Sequence, residues 1–210
     1  MSVQKTASVV HVIDDDDAYR EAIVRVLDAG GYEARTYANA GDYLLSHVPA
    51  GSPSCILMDL HMPGPDGFAL QAALRARGDS QPIIFISAET KIPAAVKAIK
   101  SGADDFLTKP VEAKVLFAAI KAALARDAQE RPAIEQARVW RARYEALTPK
   151  EIAVLDRLVA GRMNKEIAKE LGAAERTVKA HRAQIMAKMG ARSLAELVHI
   201  MDELQIDPAH

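Results

Sequence analysis

Four short apolar runs stand out in the first part of the chain: Val9-Val10-His11-Val12-Ile13, Cys55-Ile56-Leu57-Met58, Ile83-Ile84-Phe85-Ile86 and the shorter Phe106-Leu107. They are nearly continuous rather than alternating, the pattern of strands buried on both faces of a parallel sheet. A weaker strand, Glu33 to Tyr37, follows the Gly30-Gly31 turn. Between the strands, the spacing predicts amphipathic helices over Ala18–Ala29, Ala40–Ser46, Phe68–Ala76, Ala94–Lys100 and Ala113–Arg126. Five β-α repeats predict an α/β domain built on a doubly wound, five-stranded parallel sheet.

Past Arg126 the pattern changes. Arg126 to Pro132 is polar and ends in proline, which predicts a break or linker. Everything beyond it reads as helix. Ile134, Ala137, Trp140, Tyr144 and Leu147 share one helical face. Thr148-Pro149-Lys150-Glu151 supplies a cap, a proline at the first helical position and an acidic first turn. Gly161 and Gly172 separate helices over Pro149–Ala160, Asn164–Leu171 and Ala174–Met189, and a last one runs from Ser193 to Leu204. The expected division is a first domain over residues 1–126, a helical linker over 127–146 and a small all-α domain over 147–210.

With 50% hydrophobic and 26% charged residues, the composition is that of an ordinary folded protein and excludes disorder as the main state. The most apolar stretch, Val115 to Ala125, is short and interrupted by Lys121, so no membrane span is expected. Met1 to Ser8 lacks the apolar core of a secretory signal. The single cysteine, Cys55, excludes an internal disulfide framework and agrees with a reducing cytoplasm. Charge is near balance overall, but Asn164 to Arg192 holds 7 basic against 3 acidic residues. That local excess of +4 points to a polyanionic partner.

In open α/β sheets, functional groups gather beyond the carboxyl ends of the strands. Here those ends offer Asp14 and Asp15, then Asp59, then Ser87, and finally Thr108-Lys109-Pro110. Three carboxylates, a hydroxyl and an ammonium would meet at one edge. An oxygen-rich acidic cluster beside one lysine is hard-cation chemistry, with Mg²⁺ the expected ion. Helix capping accounts for Asp16 or Asp17 but not for a complementary set drawn from four strand ends. His11, within the first strand, is read as a core histidine.

Val12-Ile13-Asp14-Asp15, Met58-Asp59-Leu60-His61-Met62-Pro63, Ser87-Ala88 and Thr108-Lys109-Pro110 together resemble the motifs of bacterial response-regulator receiver domains, a flavodoxin-like fold. The intervals fit too: 44 residues from Asp15 to Asp59, 28 to Ser87 and 22 to Lys109. The resemblance implies that Asp59 accepts a phosphoryl group and that Asp14, Asp15, Asp59 and the His61 backbone carbonyl hold Mg²⁺. It further implies that Lys109 binds the phosphoryl oxygens, with Ser87 and Phe106 as the switch pair and His61 and Glu89 at positions that tune phosphate lifetime. A haloacid-dehalogenase-like phosphatase would need an aspartate two residues after the first, where His61 stands. A turnover enzyme is therefore not expected.

In the C-terminal part, Asn164-Lys165-Glu166-Ile167-Ala168 and Thr177-Val178-Lys179-Ala180-His181-Arg182, set behind Leu147-Thr148-Pro149-Lys150-Glu151, resemble the LuxR-type helix-turn-helix. The pattern puts Ile167, Ala168, Leu171, Val178, Ile185 and Met189 inside. The whole chain resembles the NarL/FixJ group, and more narrowly its FixJ-like members. By that resemblance Lys179, Ala180, Arg182 and Ala183 face bases, with Arg176, Thr177 and Lys188 beside them on the DNA-facing surface. The implied protein is a cytoplasmic two-component transcription regulator. Its implied partners are a sensor histidine kinase, promoter DNA and RNA polymerase. A homodimer is expected on phosphorylation, through a face carrying Lys97, Lys100, Asp104, Asp105 and Lys114. The alternative is a regulator of the same fold that works without phosphorylation or through protein contact.

Overall fold

The computed structural model describes residues 8–46 and 52–206, so the reading of Met1–Ala7 lies outside the described residues. The strands are β1 (Val9–Ile13), β2 (Glu33–Tyr37), β3 (Ser54–Asp59), β4 (Ile83–Ser87) and β5 (Asp105–Thr108). The helices between them are α1 (Asp17–Ala29), α2 (Ala40–Leu45), α3 (Gly67–Ala76) and α4 (Ile92–Lys100), followed by α5 (Ala113–Glu145). The sheet is parallel throughout, in the order β2-β1-β3-β4-β5. Each buried strand sends alternate residues to opposite faces. Val10, Val12, Cys55, Leu57, Ile84 and Ile86 pack with α1 and α5, whereas Ile13, Ile56, Met58, Ile83 and Phe85 pack with α2 to α4. That two-sided burial explains the continuous apolar runs.

The helix starts are set locally. Asp16 caps α1 by accepting the Tyr19 N–H at 3.1 Å, and Asp66 caps α3 by accepting the Ala69 N–H at 2.8 Å. Capping is therefore the role of Asp16, as expected, while Asp17 pairs with Arg20. His11 is fully buried and stacked beside Tyr37, with Nδ1 3.1 Å from the Tyr37 hydroxyl. Burial, more than the neighbouring charge of Arg35, lowers its pKa to about 4.

The expected break between Arg126 and Pro132 is not there. Helix α5 runs through Pro132, which an isolated helix would tolerate poorly, at about 3 kcal/mol. Tertiary anchors lie on both sides of the proline. Before it, Asp127 accepts the Ser54 N–H at 3.0 Å and Arg126 pairs with Asp104 at 2.6 Å. After it, Trp140 and Tyr144 pack on the second hydrophobic core. The chain divides into two compact units at Arg131/Pro132, so the stretch 127–146 contributes to both units rather than forming a separate linker.

The second unit continues with α6 (Pro149–Val159), α7 (Asn164–Glu170), α8 (Glu175–Met189) and α9 (Leu194–Glu203). Its core gathers Leu155, Ile167, Val178, Ile185, Met189 and Leu197, all fully buried. Gly172, at φ +61°, makes the turn between α7 and α8. No helix among the described residues is long and apolar enough to cross a membrane.

Candidate functional site

The strand order decides the first site. With β1 beside β3, and β4 and β5 next in line, the ends carrying Asp14, Asp59, Ser87 and Lys109 fall on one edge. Lys109 Nζ donates to Asp14 Oδ2 at 2.6 Å and to Asp59 Oδ2 at 2.9 Å. The side chains are 17%, 3% and 12% exposed for Lys109, Asp14 and Asp59. Asp15 is exposed, and each of Asp14, Asp15 and Asp59 offers a carboxylate oxygen within 4.8 Å of the others. The other oxygens of Asp14 and Asp59 are held by backbone: Asp16 N–H donates to Asp14 Oδ1 at 2.9 Å and His61 N–H to Asp59 Oδ1 at 3.2 Å.

The electrostatics are those of a pocket short of positive charge. Burial raises the Asp14 carboxyl above its usual range, against the pull of Lys109. For Lys109, burial disfavours the charge, but hydrogen bonds to Asp14 and Asp59 outweigh it and its pKa is raised. Asp14 and Asp59 share one ammonium with Asp15 beside them, and the hard oxygen donors of the three carboxylates fit a divalent cation.

Ser87 is fully buried, its Oγ accepting the Glu89 N–H at 3.1 Å and its carbonyl accepting the Lys109 N–H at 2.8 Å. Phe106 is half-buried, with its ring 6.4 Å from that of Phe85. His61 is exposed and lies 3.9 Å from Glu89. Two further residues were not picked out from the sequence. The Tyr19 ring lies 4.1 Å from Lys109 Nζ, and Arg20 donates to the Asp14 carbonyl. Both sit in the first turn of α1, directly after the aspartate run, and that position is the only sequence signal for them.

On the second unit, Arg176, Thr177, Lys179, Ala180 and Ala183 are exposed on α8 and Arg182 is half-exposed, while Val178, Ile185 and Met189 hold the opposite face in the core. Lys179 makes an exposed i,i+4 pair with Glu175 at 3.1 Å. Lys188 is also exposed on α8. Its ammonium donates at 2.6 Å to Glu151, whose side chain is only 4% exposed, so it is tied to the start of α6. Glu151 also accepts from the Thr148 N–H and hydroxyl in a capping box. The Lys188 hydrogen bond, then those from Thr148, lower the Glu151 pKa to about 2.

Asp104 is likewise turned away from the surface expected for dimerisation. It accepts the Ile83 N–H at 3.0 Å and pairs with Arg126, so β4 and α5 claim its carboxylate. What α4 exposes instead is an apolar row, Ile92, Val96 and Ile99, at 76%, 45% and 48% exposure.

Known proteins resemble both units. The family described as response regulator receiver domain matches residues 10–121, and that of the luxR-family bacterial regulatory proteins matches residues 145–201. Nodulation protein W of Bradyrhizobium diazoefficiens is 38% identical over 205 residues, covering 98% of this chain and 90% of its own. The transcriptional regulatory protein FixJ of Azorhizobium caulinodans is 39% identical over 200 residues, covering 95% and 94%. Among solved structures, the response regulator StyR aligns at 41% identity with a TM-score of 0.70, over 94% of this chain and all of that one. Full-length FixJ from B. japonicum aligns at 36% identity with a TM-score of 0.53, over 94% and 97%.

Proposed function

The chain belongs to the response regulators that join a receiver domain to a LuxR-type DNA-binding domain, and on that footing we propose that phosphorylation of Asp59 by a sensor histidine kinase controls its dimerisation and its binding to promoter DNA. One observation carries this reading: Asp14, Asp15 and Asp59 gather their carboxylates, two of them on Lys109, in a chain that also presents an exposed basic helix. Asp59 acts as the nucleophile toward phosphorus, forming a carboxyl phosphate as the donor's leaving group departs. Asp14, Asp15, Asp59 and the His61 carbonyl would hold Mg²⁺, which neutralises charge on the transferred oxygens. Lys109, already beside Asp59, supplies the second counter-charge. The new charge enters a crowded acidic pocket, and the Ser87 hydroxyl, by turning toward it, would free space for the Phe106 ring.

Dimerisation is assigned to α4, where the row Ile92, Val96 and Ile99 gives an apolar strip flanked by Lys97 and Lys100. DNA binding is assigned to α8, with Lys179 and Arg182 toward base edges and Arg176 toward phosphate. Intact-protein mass spectrometry after treatment with a small phosphodonor tests the core of the reading. One phosphoryl group should add in the presence of Mg²⁺ and none after EDTA. Equal labelling of Asp59→Asn would refute it. Sedimentation with a phosphoryl mimic should show a dimer, and Ile99→Glu should return it to monomer.

A further inference from the structure

The LuxR-type match begins at residue 145, yet the last turns of α5 before that point pack on the same core as α6 to α9. The Trp140 ring meets His199 edge-on at 6.1 Å. From this stretch two guanidinium groups reach the carboxyl ends of two helices. Arg141 Nη2 donates to the Leu204 carbonyl at the end of α9, and Arg143 Nη1 donates to the Met189 carbonyl at the end of α8, each at 3.0 Å. The last carbonyls of a helix lack partners inside it and carry partial negative charge, so a cation there is favourable on both counts.

The end of α8 is shaped to admit Arg143. Gly190 has φ +71°, and its N–H and that of Ala191 return to the Ala187 and Met186 carbonyls, which leaves Met189 O for the guanidinium. A Cβ at position 190 would collide with Arg143 Nη1 and sit 3.1 Å from Cζ. Glycine is therefore required by the sign of φ, and any Cβ there would push the Arg143 guanidinium off its carbonyl. One residue earlier, Lys188 is tied to Glu151. The carboxyl end of α8 is thus fixed from two directions, while Arg176 and Lys179 at its other end are exposed.

We propose that Arg143 is a positioning residue for DNA binding: by capping α8 at Met189 it sets the angle at which the exposed half of that helix meets a groove. It acts through α8 and not on the nucleic acid. This rests on the reading that α8 enters the groove.

A positioning residue and a phosphate contact leave different marks. Losing a contact to phosphate flattens the log–log salt dependence of binding by about 0.9 for each bound subunit, because each then releases one fewer counterion. Losing a positioning residue weakens binding with the slope unchanged. The experiment uses the full chain and a duplex that the wild-type protein selects from a random-sequence pool. Arg143→Met should weaken binding roughly three- to tenfold at an unaltered slope. Arg143→Lys should recover most of that loss, since an ammonium can still donate to the Met189 carbonyl. Hydrogen exchange without DNA should show faster exchange in the last turn of α8 for the Met variant. Unchanged affinity in Arg143→Met overturns the proposal, and so does a slope reduced by about 0.9 per bound subunit, which would make Arg143 a phosphate contact. If no duplex can be selected, the groove reading fails and the proposal with it, while faster exchange would still establish the cap, so the two failures are told apart.

Discussion

Two lysine–carboxylate clusters, one in each unit, have opposite electrostatic outcomes. At Lys109, one ammonium serves Asp14 and Asp59 with Asp15 close by, and burial leaves the Asp14 carboxyl raised. At Lys188, one ammonium serves a single carboxylate, Glu151, and the Ala146 carbonyl; the Thr148 N–H and hydroxyl add to it, and the Glu151 carboxyl falls to about 2. Burial dominates at Asp14 and hydrogen-bond donors dominate at Glu151, and that balance makes the difference. The first cluster has unmet demand for positive charge, which suits a site that takes up an ion and a phosphoryl group. The second is satisfied by its own residues, which suits a joint between helices. A lysine near a carboxylate is therefore not informative until the neighbouring donors have been counted.

The largest effect that could break this contrast is chemical. Asp59→Asn should abolish phosphoryl labelling altogether, while Glu151→Gln should leave labelling unchanged, both read by intact mass. Labelling that depends on Glu151 would erase the distinction.

Next comes acid sensitivity, where the two units should separate by pH window. His11 has a folded pKa of about 4 against an ordinary 6.5, so the folded state resists its protonation. The first unit should lose stability as pH falls from about 6.5 to 4, by about 3 kcal/mol from this group. Asp14, being raised, works the other way and is relieved by acid. Glu151 is depressed, so its contribution is complete above about 4.5 and lost only as pH falls toward 2. Protection factors of β1 and β3 amides, corrected for the intrinsic exchange rate at each pH, should therefore fall at milder acidity than those of α6. His11→Phe should flatten the first response, and an unaltered profile would remove His11 as its cause.

A smaller effect tests the unmet charge directly. At tenfold above its dissociation constant, Mg²⁺ should stabilise the first unit by about 1.4 kcal/mol, because it binds the folded pocket only. The second unit should not respond. Equal protection of both units would mean a general salt effect.

The smallest expected change belongs to the satisfied cluster. Thr148→Ala removes the cap of α6 and should destabilise the second unit by about 1 kcal/mol, with the first unit unaffected. It should also loosen Lys188, detected as faster exchange at the end of α8. Exchange there that stays slow would show that Arg143 holds that end without help.

The sequence alone determined what local patterning can determine. Strand burial on two faces, the caps at Asp16 and Thr148, the turn at Gly172 and the inward face of Ile167, Val178 and Ile185 are all set by neighbours a few residues apart. The acidic set was legible for a related reason: strand ends are visible, and a doubly wound sheet places them on one edge. Only the tertiary structure decided which charges meet. Lys109 finds Asp14 across 95 residues, Lys188 finds Glu151 across 37, and Arg143 finds Met189 across 46. Asp104 turns from the surface to β4 and Arg126, and α5 continues through Pro132 with anchors on both sides. Helical and strand periodicities report which face of an element is buried. The partner of a long charged side chain depends on register and packing between elements distant in sequence, and no local pattern carries that information.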